Sequence, residues 1–124
     1  MVKRFLMILV AGLLWGNVGF SKGISGTQLL CESPYENPVG FWFLSEVLAL
    51  EYSIHNWEVT KYEQKVAVNP DTIHVGRGDI NRETLRYLGT EYYDCSIVKD
   101  FNFEEYFNKL LKDQIAEQEE KNIL

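Results

Sequence analysis

The chain has 124 residues, 12 of them Lys or Arg against 18 Asp or Glu, for a formal net charge of −6. That length suits one modest domain and is too short for two. An acidic surface repels phosphate backbones and anionic headgroups, which disfavours nucleic-acid and membrane-surface partners.

At the start, Lys3 and Arg4 precede an uncharged apolar run from Phe5 to Gly16. This is the layout of a secretory signal peptide, and residues 1–21 are read as one, with cleavage expected after Ser21 because Gly19 and Ser21 are small. The competing reading is an uncleaved anchor, in which the apolar helix continues through Val18 and Phe20. Lipidation at Cys31 is disfavoured, because Leu30 precedes it and the apolar run ends far upstream. Either way the folded part is expected outside the cytoplasm, periplasmic or secreted, with no membrane contact beyond this segment. The remaining 103 residues carry 10 basic and 18 acidic side chains, a net charge of −8.

Residues 22–27, KGISGT, read as a flexible leader, and residues 28–99 as a β domain. QLLCES (28–33) is the first short strand, and PYENP (34–38) a turn, since its prolines interrupt pairing. VGFWFLS (39–45) is an aromatic strand. In EVLALEYSI (46–54), Leu48, Leu50, Tyr52 and Ile54 alternate against Ala49, Glu51 and Ser53, the mark of a half-buried antiparallel strand. His55 and Asn56 suit a tight turn. WEVTKYEQKVAV (57–68) is one bent strand or two shorter ones, ended by Asn69-Pro70-Asp71. TIHV (72–75), ETLRYL (83–88) and YYDCSIV (92–98) complete the strand candidates. Strands recurring every 8 to 12 residues point to an antiparallel sheet, barrel or half-barrel of about 6–7 strands.

The tail changes period. Phe103, Tyr106, Phe107, Leu110, Leu111 and Ile115 form one stripe at helical spacing, so residues 102–121 are expected to be an amphipathic helix. Asn102, with Glu105 three residues on, makes a start resembling a capping box, and fraying is expected beyond Ile115. The stripe is expected to pack across the sheet or an open barrel end; a self-association surface is the alternative.

Cys31 and Cys95 are the only cysteines. An even pair in a short exported chain points to a disulfide, and closing a loop of about 65 residues is worth roughly 4 kcal/mol in the chain-entropy estimate. There is no C-x-x-C spacing, and His55 and His74 stand apart from each other and from the cysteines. Metal and redox chemistry are therefore disfavoured, and no cofactor is expected. Neither histidine has an evident serine or acid partner in the sequence, and there is no Gly-rich phosphate loop. Aromatics are more suggestive. Trp42, Tyr52, Trp57 and Tyr62 are candidate anchors for a ligand or partner protein, although a small sheet also uses large rings simply to gain buried area.

HVGRGDINRETLRYL (74–88) contains Arg77-Gly78-Asp79, the tripeptide that adhesion proteins display to integrins. Asn81 to Thr84 is the better turn candidate, which places Arg77 to Asp79 on the approaching strand with Gly76 and Gly78 as a bulge or edge feature. An exported start, a first cysteine, an aromatic strand, a Tyr-rich meander, INRETL and a closing cysteine together resemble a group of short exported bacterial proteins of unassigned function. The resemblance covers residues 1 to about 98 and implies a compact β domain without implying an activity. In architecture alone the chain is similar to small periplasmic inhibitors of lysozyme, whose motif residues do not occur here. The expected function is non-catalytic binding of an unknown protein or small ligand. The alternative is a small extracytoplasmic hydrolase or lyase using His55 or His74.

Overall fold

The computed structural model describes residues 23–89 and 91–121, so the expected signal peptide lies outside the described residues. Eight antiparallel strands follow one another: β1 (Gln28–Glu32), β2 (Val39–Phe43), β3 (Leu48–His55), β4 (Glu58–Val68), β5 (Thr72–Val75), β6 (Gly78–Asn81), β7 (Arg86–Leu88) and β8 (Tyr92–Val98). Each pairs with the next, and β8 returns to β1, closing the sheet into a barrel. Helix α1 (Phe103–Lys121) follows. The expected class, mainly β with a C-terminal helix, is the observed one.

The strand number exceeds the expected 6–7 because TIHVGRGDI is not one strand. Val75 pairs with Gly78, so Gly76 and Arg77 form a two-residue turn, and Gly76 has φ +63°. Glycine first in such a loop supplies the left-handed conformation that matches the twist of both strands. Arg77 therefore sits at a hairpin tip, not on an approaching strand, while Gly78 and Asp79 begin β6. At Gly78 the backbones of β6 and β7 approach so closely that a methyl group would collide with the Leu88 carbonyl. The turn at Asn81 to Thr84 forms as expected, the Asn81 side chain accepting from the amides of Glu83 (2.8 Å) and Thr84 (2.9 Å). Its last residues and Leu85 leave only Arg86–Leu88 as strand.

Side chains directly opposite in register share a face. The interior is filled by Leu29, Phe41, Phe43, Ala49, Val66, Ile73, Val75 and Ile80, with Cys31 and Tyr87. Cys31 faces Cys95 across the β1–β8 seam, and the two form the expected disulfide. The staple thus lies where the barrel closes. Ile24 is fully buried in the same core, and the Glu46 carboxylate accepts from the amides of Ile24 (2.7 Å) and Ser25 (2.9 Å). Residues from Gly23 on are accordingly fastened to the barrel, unlike the flexible leader expected for 22–27.

The apolar face of β3 points the other way. Leu50, Tyr52 and Ile54 lie on the outer wall with Leu30, and α1 covers them through Phe103, Phe107, Leu110 and Leu111. Gly40 admits the helix: a Cβ there would lie 2.6 Å from the Phe103 ring. The Tyr52 ring stacks 5.0 Å from Phe103. Gln28, 6% exposed, anchors the connection into the helix, since its Nε2 donates to the Phe101 carbonyl and its Oε1 accepts from the Phe101 amide, both at 2.9 Å. Asn102 caps α1 by accepting from the Glu105 amide at 3.0 Å. The helix continues to Lys121, past the expected fraying point at Ile115.

Candidate binding site

In an up-and-down barrel, the β1–β2, β3–β4, β5–β6 and β7–β8 turns all lie at one end, here called the upper end. Large rings are left in water there. Tyr35, in the β1–β2 loop, is 83% exposed; Trp57, in the β3–β4 turn, 55%; Tyr92, at the start of β8, 60%; and Tyr62, on the upper part of β4, is also exposed. Of the four aromatic candidates, Trp57 and Tyr62 belong to this end. Trp42 lies on the outer wall of β2 opposite Leu50, away from them. Tyr52 is 4% exposed beneath α1, where its ring builds the helix contact and is closed to a ligand.

The β3–β4 hairpin puts Trp57 and Tyr62 to different uses. Tyr62 is opposite Glu51, on the face turned toward the barrel axis. Trp57 occupies the two-residue turn between His55 and Glu58, with φ +64°, after Asn56 at φ +52°. Two positive φ angles define the turn that matches strand twist, and it is normally built from Asn-Gly. Trp57 borders an open groove of about 290 Å³ lined also by Asn37, Ile54, Asn56 and Gln114. Its far side is held by Gln114, whose Nε2 donates to the Asn37 side-chain oxygen at 2.7 Å. Helix α1 thus reaches the β1–β2 loop.

Toward the barrel axis the upper end has a polar floor that the sequence reading missed. Glu51 faces inward beside Phe41, and Gln64 donates to its Oε1 at 3.1 Å. The carboxylate lies against Gly76, where a Cβ would be 2.8 Å from Oε1 and 3.4 Å from the Tyr87 hydroxyl. Burial raises the Glu51 pKa above the ordinary carboxylate value, opposed by the Gln64 hydrogen bond and the Arg77 cation. Burial also raises the Tyr87 phenol, with the Glu51 charge adding to it, and raises Tyr93, with Glu36, Glu91 and Glu51 adding. The Tyr87 and Tyr93 rings are 5.8 Å apart. Strand alternation had put Glu51 on a solvent face; the signal lay in the helix, whose apolar stripe needs the other face of β3.

His55 ends β3 at the surface. His74 has an acid partner after all, because the β5–β6 hairpin sets Asp79 opposite it and Nδ1 lies 2.8 Å from the Asp79 carboxylate. Both side chains are more than half exposed on the outer wall. Among the described residues, no group of three or more His, Cys, Asp or Glu is placed to hold a metal ion, and no helix is long and apolar enough to cross a membrane. No family model, no curated protein and no solved structure matches the chain.

Proposed function

We propose that this chain is an exported, non-catalytic binding module, periplasmic or secreted, whose recognition surface is the upper end of the barrel. The observation that carries the reading is that Tyr35, Trp57, Tyr62 and Tyr92 all stand in water at that end, whereas the other end exposes the aliphatic Leu44 and Val47 and buries Ile24. Exposed Trp and Tyr supply contact area at small conformational cost, which is why they dominate recognition surfaces. The disulfide supports an oxidising compartment.

The alternative, a small hydrolase or lyase, draws on the His74–Asp79 pair, since a carboxylate on the imidazole orients a general base. That pair is open to water on the outer wall, where no enclosed site strengthens it.

The test is retention from extracytoplasmic extract by immobilised mature protein. Two variants are compared: a triple variant at the upper end (Tyr35→Ser, Trp57→Gly, Tyr92→Ser) and a lower-end control, Val47→Ser. The reading expects species held by wild type and control to be lost by the triple variant. Equal retention by all three, or retention of nothing specific by wild type, overturns it.

A further inference from the structure

Trp57 stands where the backbone favours glycine. At φ +64° a bulky side chain is a conformational outlier, and such strain persists where the surroundings or a function hold it. Packing does not account for it, since the residue is more than half exposed. Trp57 instead lines, with Asn37, Ile54, Asn56 and Gln114, one open groove.

The lining is chemically selective. Among the described residues it has one aromatic side chain, three carboxamides and no ionisable group to neutralise a charged ligand. Carboxamides present donor and acceptor side by side, as paired hydroxyls require. An indole face carries negative charge that attracts the weakly positive C–H bonds on the flat side of a sugar ring. A volume of about 290 Å³ is at the bottom of the small-molecule range, roughly 300 to 1,000 Å³, so the groove takes one ring and leaves its neighbours in solvent.

From this juxtaposition we infer that the groove is a subsite for one neutral pyranose ring of a glycan, stacked on Trp57 and hydrogen-bonded by Asn37, Asn56 and Gln114. This deepens the binding-module reading and rests on it. The carboxamide pair of Gln114 and Asn37 couples the subsite to α1, so a bound sugar would bridge helix, loop and hairpin.

The test is an amide NMR titration of the mature, disulfide-intact protein with cellotriose, maltotriose and tri-N-acetylchitotriose. At least one is expected to shift residues 37, 54, 56, 57 and 114 together, with an affinity unchanged between low and high salt. Trp57→Gly, which suits the turn, is expected to weaken binding about tenfold or more, as loss of an aromatic anchor does. Gln114→Leu is expected to weaken it while leaving the fold's amide pattern intact. Shifts elsewhere, a steep salt dependence, or unchanged affinity in Trp57→Gly overturns the sugar subsite. If no sugar binds while retention of extract material still depends on the upper end, the ligand class is wrong and the module reading stands. If neither occurs, both fall.

Discussion

Glu51 shows how one residue sets a pH dependence. Its half-buried carboxyl is desolvated at the barrel wall, which raises its pKa above the ordinary carboxylate value of about 4.5. A raised value means the folded state holds the proton more tightly than the unfolded chain does. Its contribution is therefore full below about pH 4.5 and is lost as pH rises through the folded value. Glu51→Gln keeps a hydrogen-bond acceptor for Gln64 and removes the buried charge. The variant is expected to melt higher than wild type at pH 7, with the difference vanishing below about pH 4.5, as thermal melts across pH would show. The Arg-Gly-Asp tripeptide also resolves at this scale. Gly78 is required by the Leu88 carbonyl above it, and Asp79 by its pairing with His74. As an exposed ion pair, His74–Asp79 contributes at most about 1 kcal/mol, so His74→Ala should leave the melting temperature nearly unchanged.

Among the elements, the contact between α1 and the outer wall of the barrel is tightly fitted. Gly40→Ala drives a methyl group into the Phe103 ring, and overpacking of this kind costs about 1 to 3 kcal/mol. Denaturant unfolding should show that loss, and Gln28→Ala should show about 1 to 3 kcal/mol from the two orphaned Phe101 groups. The helix itself was legible in the sequence, cap and stripe included, because its period of 3.6 residues is a local property. Which surface it covers was not. Leu50, Tyr52 and Ile54 alternate equally well whether they face a barrel interior or a helix outside it, and only tertiary packing decides. As one of several large rings, Tyr52 looks available to a ligand, and alternation makes Glu51 look solvated; α1 reverses both. The β5–β6 hairpin was missed for a different reason: its strands are only four residues each, Thr72–Val75 and Gly78–Asn81, too short for alternation to part them from one longer strand, and Gly76 was the one local signal of the turn.

For the whole molecule, closure is the organising fact. The disulfide joins the first and last strands, tying residues 64 apart in sequence. Its removal as a Cys31→Ala, Cys95→Ala pair is expected to cost about 4 kcal/mol, a large share of the stability of a domain this small. The even number of cysteines in a short chain made the bond readable from the sequence, and the spacing of strands made the barrel readable. The two ends of the barrel were not distinguishable until the turns were placed. The lower end is then seen to expose Leu44 and Val47, and the upper end to carry exposed rings, one of them in a strained turn. The central claim is that this upper end is shaped for recognition at some cost to folding. It is tested most directly by the melting temperature of Trp57→Gly beside wild type, both with the disulfide intact. An equal or higher value is predicted, because glycine relieves the left-handed turn; a fall of several degrees would show that the indole serves the fold, and would contradict the account.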